Sequence, residues 1–172
     1  SKQTQPHSIT ILGGSHGTFW DKNALKEYPN LDIVVRREGE LTIIELLDKL
    51  EKNCDISGVL GITYRSGSKL IRNEYRPFIE DLDSLPFPAH HLLPLEKLKH
   101  NGKILFPLVS SRGCVYWCDF CSTVRMFGRG YRMRSAETVS YTHLTLPDDL
   151  LCVDLGGRRS ITKKKKTTST NI

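Results

Sequence analysis

Two alternations of a short apolar run with an amphipathic stretch, both within the first 52 residues, constrain the fold most strongly. Ser8, Ile9, Thr10, Ile11 and Leu12 read as a short buried strand that stops at Gly13-Gly14. Residues 19–28 read as a helix ended by Pro29. Residues 31–35 form a second apolar strand, and Arg36, Arg37, Glu38, Gly39 and Glu40 make the loop after it. Over residues 41–52, Ile43, Leu46, Leu47 and Leu50 recur at helical spacing, as in a helix lying on a sheet. Strand–helix–strand–helix order predicts an α/β class on a parallel sheet, because each helix returns the chain to start a strand in the same direction. Two such units make the back half of a doubly wound domain, with the front half expected outside the chain.

Residues 58–65 and 70–75 flank Ser66-Gly67-Ser68 and predict a hairpin. Asp81 to Pro88 reads as an extended linker, since each proline disfavours helix in the residue before it. A short helix is expected over residues 94–100 and an apolar strand over residues 104–109. Pro107 restricts that strand to an edge or a strand start. Later, Gly128 to Arg134 is a basic loop, and Ser135 can cap a helix starting at Ala136. His90, His91 and His100 have no metal-like company and read as solvent-facing. The expected organisation is a partial α/β domain over 1–57, hairpin and linker over 58–103, a second domain starting over 104–139, and a tail over 140–172.

Between the strand expected over residues 104–109 and the basic loop lies the chemistry. Cys114, Cys118 and Cys121 fall within eight residues, spaced C-x3-C-x2-C. Three thiolates so close in chain can converge on one corner of a metal cluster. A common four-cysteine cluster needs one ligand more, and an unsaturated metal can bind and activate a substrate. Rival readings are a zinc site, a disulfide or an ordinary ferredoxin cluster. Zinc normally needs four protein ligands, and the spare cysteines are Cys54, far upstream, and Cys152, in the tail. The total of five cysteines is odd, which argues against a secreted disulfide framework and for a reducing cytoplasm.

With Phe120 before the last cysteine, Ser111-Arg112-Gly113 before the motif and Tyr131-Arg132-Met133-Arg134-Ser135 after it, the loop resembles the cluster motif of the radical S-adenosylmethionine (radical SAM) superfamily. Val115 stands where many relatives carry proline. The resemblance implies that the three cysteines ligate three irons of a 4Fe-4S cluster. The fourth iron would bind the amino and carboxylate groups of S-adenosylmethionine, whose reductive cleavage gives a 5′-deoxyadenosyl radical. Phe120 would pack near the adenine or, alternatively, in the core beside the cluster. A reductant such as flavodoxin or ferredoxin is the implied partner. The competing class is a non-catalytic iron–sulfur or zinc-binding module.

Upstream, Ile11-Leu12-Gly13-Gly14-Ser15-His16-Gly17-Thr18 and Val34-Val35-Arg36-Arg37-Glu38-Gly39-Glu40 resemble the end of the Rossmann-like cobalamin-binding domain that precedes many radical SAM domains. The resemblance implies that Gly13 and Gly14 let backbone approach the nucleotide tail of cobalamin, where a side chain would block it. Arg37 sits where relatives often have glycine, and His16 reads as a loop residue. Arg132 and Arg134 could meet a carboxylate or phosphate of cofactor or substrate, or anchor the loop. Glu38 and Glu40 do not read as a catalytic pair; Glu40 favours the start of the following helix through its dipole.

The implied architecture is the C-terminal half of a cobalamin domain, a linker and the first βα unit of a (β/α) barrel. The residues after Cys114 are far fewer than a full barrel of about 250 residues requires, so a fragment is expected. Much of the net charge of +6 lies in Arg158, Arg159 and Lys163 to Lys166, in a low-complexity stretch that cannot bury a core. This reads as a solvated tail rather than a nucleic-acid surface. Tyr141 to Pro147 resembles translated sequencing adapter, so residues 140–172 are expected to be non-native. No apolar run is long enough to span a membrane.

Overall fold

A computed structural model describes residues 2, 5–89, 92–94, 97, 99–100, 103–104 and 109–139. The expectations for Pro107, the His90-His91 pair, Cys152 and the 140–172 tail lie outside the described residues. Two units are distinguished, one formed by residues 1–86 and 109–139, the other by residues 87–108 and 140–172.

The first unit is organised on strand β2 (Ile33–Val35), which is buried along its whole length. Strand β1 (Ile11–Leu12) pairs with it in parallel, Ile11 opposite Ile33 and Leu12 opposite Val34. Helix α1 (Gly14–Glu27) makes the crossover, which realises the parallel pairing that the strand–helix order predicts. It begins five residues before the expected position, directly after Gly13, so His16 lies in its first turn and not in a loop.

The alternation of β2 sends its neighbours to opposite faces. Val34 faces α1, where a side chain at Gly17 would meet it at 3.0 Å. Ile33 and Val35 face the other way, into a core with Leu46, Val59, Ile62 and Tyr64. Leu46 belongs to α2 (Glu40–Glu51), whose bounds match the periodic stretch to within one residue. Leu46 is fully buried, so truncating it to alanine would cost about 2–5 kcal/mol.

β3 (Ile62–Ser66) and β4 (Lys69–Arg72) form the expected hairpin around Gly67-Ser68. β3 pairs antiparallel with β2, giving the order β1-β2-β3-β4. The sheet is therefore mixed rather than all parallel, and the hairpin completes the first sheet instead of standing with the linker. The cause is the apolar face of β3: Ile62 and Tyr64 are buried in the same core as Ile33 and Val35. A 3-10 turn at Leu82–Ser84 then buries Leu82 with Ile79 and Leu85.

In the second unit, β5 (Lys99–His100) pairs antiparallel with β6 (Lys103–Ile104). The helix expected over residues 94–100 is thus replaced at its end by strand.

Returning to the first unit, β7 (Ser111–Arg112) and β8 (Arg132–Met133) form an antiparallel pair, with helix α3 (Thr123–Phe127) between them. The strand expected over residues 104–109 falls mostly outside the described residues. Ser135 caps a helical turn starting at Ala136, as its residue type predicts: its Oγ accepts from the Thr138 N–H at 3.1 Å. The described residues include no helix long and apolar enough to cross a membrane.

Candidate metal centre

The β7–β8 pair is the neck of a loop that carries all three motif cysteines. Gly113 opens the loop with φ +92°, and a Cβ there would sit 2.1 Å from the Gly130 carbonyl oxygen. Only glycine fits both the left-handed backbone and the close approach. The Gly130 N–H donates to the Cys114 carbonyl at 3.1 Å, closing the loop on itself. At its far side the Cys121 N–H donates to the Cys118 carbonyl at 3.1 Å. Val124 and Met126 of α3 are buried and anchor the return.

All three cysteines are free; Cys118 is exposed, Cys114 and Cys121 half-buried. Hydrogen bonds from the Thr123 hydroxyl and backbone hold the Cys121 thiol below the usual thiol range. Among the described residues no three cysteine, histidine, aspartate or glutamate side chains stand close enough to hold a metal ion. The loop brings the three thiols together in chain without drawing them onto one point. As a donor set, three free thiols on one accessible loop fit a thiolate-bound cluster with three protein ligands. Phe120 is 93% exposed, so it is not packed in a core beside the cysteines. Val115, Tyr116 and Trp117 are exposed beside it.

The neck is held from the sheet. Glu38, 6% exposed in the loop after β2, accepts from Arg112 Nη1 through Oε1 and from Arg132 Nη1 through Oε2, both at 2.9 Å. Its Oε2 also accepts from the Ile79 N–H at 2.9 Å. Burial pushes the Glu38 carboxyl up, but the bonds from Arg132, Ile79 and Arg112 outweigh it and hold the group below the usual glutamate range. Arg112 Nη2 reaches Glu40, which also sits in the first turn of α2 as expected. Arg132 further donates to the carbonyls of Ile79 and Phe127. Its carboxylate partner is therefore internal, whereas Arg134 Nη1 is buried without a hydrogen bond. The role of Glu38 escapes sequence reading, since its partners lie 74 and 94 residues away. The available signal was charge complementarity between Glu38-Gly39-Glu40 and the arginines on both sides of the cysteines.

Two clefts flank this assembly. One of about 460 Å³ is lined by Glu38, Gly39, Arg112, Gly113, Met126 and Phe127. The other, about 380 Å³, is lined by Phe19, Arg37, Tyr75, Phe78, Trp117 and Arg129. Arg37 has φ +62°, a left-handed conformation that glycine adopts more readily. Its guanidinium lies over the Tyr75 ring at 3.8 Å and the Phe78 ring at 4.9 Å, stacking that favours the cation in this place. Gly13 and Gly14 lie at the start of α1, with Gly14 at φ +81°. A side chain at either would meet no protein atom within 4 Å, so the backbone there faces open space. The His16 ring lies edge-on to Trp20, 5.3 Å between centroids.

No family model matches the chain. It is 38% identical over 139 residues to an uncharacterized methyltransferase of Pyrococcus horikoshii, covering 81% of this chain and 30% of that protein. It is 36% identical over 146 residues to the anaerobic magnesium-protoporphyrin IX monomethyl ester cyclase of Rubrivivax gelatinosus, covering 81% and 26%. Among solved structures, the cobalamin-dependent S-adenosylmethionine radical enzyme OxsB, with aqua-cobalamin and S-adenosylmethionine bound, superimposes with TM-score 0.63 and 27% identity. That match covers 84% of this chain and 19% of OxsB. The chain thus spans roughly a third or less of the relatives it matches. The mixed α/β fold agrees with the structural likeness. The chain is thus similar, as one segment, to cobalamin-dependent S-adenosylmethionine radical enzymes.

Proposed function

We propose that the chain carries the cluster loop of a radical SAM enzyme, with Cys114, Cys118 and Cys121 holding three irons of a 4Fe-4S cluster. The observation that carries this reading is a loop presenting three free, accessible thiols and closed at its neck by Glu38, Arg112 and Arg132. When bound, the cluster supplies one low-potential electron to the S-adenosylmethionine sulfonium, breaking its C5′–S bond to give methionine and a 5′-deoxyadenosyl radical. With Cys114, Cys118 and Cys121 as its three protein ligands, the cluster would keep one iron open for S-adenosylmethionine. The exposed Phe120 ring offers an apolar face to its adenine. The sheet β1–β4 with its helices supplies the cobalamin-side unit, where the open backbone at Gly13 and Gly14 admits the nucleotide tail. Residues 104–139 begin the radical SAM domain. A flavodoxin or ferredoxin in the cytoplasm would supply the electron, and a substrate held by the rest of the barrel would supply the hydrogen.

The test is anaerobic reconstitution of the native gene product containing the complete barrel, read by electron paramagnetic resonance. The expected result is a 4Fe-4S signal that shifts on adding S-adenosylmethionine and is lost when any of the three cysteines becomes serine. A spectrum unmoved by S-adenosylmethionine would overturn the reading in favour of a non-catalytic iron–sulfur module. Zinc in place of iron by elemental analysis would overturn both.

A further inference from the structure

We infer that Glu38, in the loop after β2, is the positioning residue that sets the shape of the cysteine loop. The inference rests on the reading of that loop as the cluster holder. Arg112 and Arg132 are direct cross-strand partners in the β7–β8 pair. Like charges directly opposite destabilise a strand pair, so this neck does not close on its own. Glu38 divides its carboxylate between them, one oxygen to each at 2.9 Å. Gly113 and Cys114 follow Arg112 at once, so the first thiol hangs from one clamped residue. Arg132 carries the restraint to the other side of the loop: besides Glu38 it holds the carbonyl of Phe127, the last residue of α3. Cys121 lies two residues before that helix. Glu38 therefore ties together the start, the end and the helical return of the cysteine loop, with Glu40 as a second partner of Arg112 at the start alone. The Ile79 N–H fixes the carboxylate in turn. The hydrogen bonds of Glu38 go to Ile79, Arg112 and Arg132, so it acts on the loop through the two arginines.

The test uses the 172-residue chain, loaded anaerobically with ferrous iron and sulfide against a competing chelator. Glu38→Gln is expected to lower iron affinity by about 10- to 100-fold, the range for loss of a group that orients metal ligands. The electron paramagnetic resonance signal of the remaining cluster should broaden, reporting unequal thiol geometries. Glu38→Asp keeps the charge but draws the carboxylate back by one methylene, and should give a smaller loss. Adding Arg112→Gln to Glu38→Gln removes the facing charge and should recover part of the affinity. Ile62→Val, which loosens the same sheet away from the loop, separates positioning from general stability. Iron affinity and line shape unchanged in Glu38→Gln would overturn the inference, as would an equal loss in Ile62→Val. A wild-type chain that takes zinc and no iron would instead overturn the cluster reading itself.

Discussion

Arg112 and Arg132 face each other across the β7–β8 pair, and both direct their guanidinium groups to the carboxylate of Glu38. Isolated, such a pair of cations would splay the strands. Joined through one buried anion, it becomes a three-residue closure on which a long, mostly exposed loop depends.

Acid should open this closure. The folded Glu38 carboxyl is held below the usual glutamate value of 4.5, so its contribution is present above that value and is lost as pH falls through the lower folded one. Removing one partner of a buried pair costs about 3–5 kcal/mol, so Glu38→Gln should be destabilised by up to that amount at neutral pH. Urea unfolding between pH 7 and pH 3 checks this. The gap between wild type and variant should close only at the acid end.

Two glycines with similar backbone angles should respond differently to alanine. Gly113→Ala meets both a left-handed φ and the Gly130 carbonyl at 2.1 Å, whereas Gly14→Ala meets the φ alone. Backbone strain costs about 1–3 kcal/mol at each, and the overlap at Gly113 adds to it. Thermal unfolding should therefore rank Gly113→Ala well below Gly14→Ala. Only Gly113→Ala should speed alkylation of the half-buried Cys114.

Asp21 of α1 holds a second ionic cluster, accepting from Thr63 Oγ1 and Arg72 Nε, each at 2.6 Å, with Arg36 Nε at 3.7 Å. Arg36 is almost completely buried, and its Nε and Nη1 have no hydrogen-bond partner. Asp21→Asn leaves that charge without its counterion and should cost about 3–5 kcal/mol. In a double-mutant cycle, adding Arg36→Met should cost less than it does in wild type. Additive losses would count against this coupling.

Tyr75 lies under three guanidinium groups, those of Arg36, Arg37 and Arg72, at 4.5, 3.8 and 5.1 Å. Tyr75→Leu should destabilise by about 1.5–3 kcal/mol, since exposed and half-exposed stacks are worth about 0.5–1 kcal/mol each. Arg37→Gly loses its stacks on Tyr75 and Phe78 but releases the left-handed strain at φ +62°, so it should cost less than Tyr75→Leu. Guanidinium chloride midpoints decide the order.

The sequence by itself determined what depends on near neighbours. The spacing of Ile43, Leu46 and Leu50 located α2, Ser135 marked the helical turn after it, and Ser66-Gly67-Ser68 marked the hairpin. The same holds for the cysteines, whose chemistry follows from residue type and separation. Periodicity and capping act over a few residues, and so they are legible in order. Only the tertiary structure decided that the hairpin joins β2 rather than the linker, because that rests on which apolar face β3 buries. Only it placed Glu38 between Arg112 and Arg132. An ion pair spanning 74 or 94 residues forms where folding excludes water and brings the elements together, and nothing local to any of the three residues encodes it.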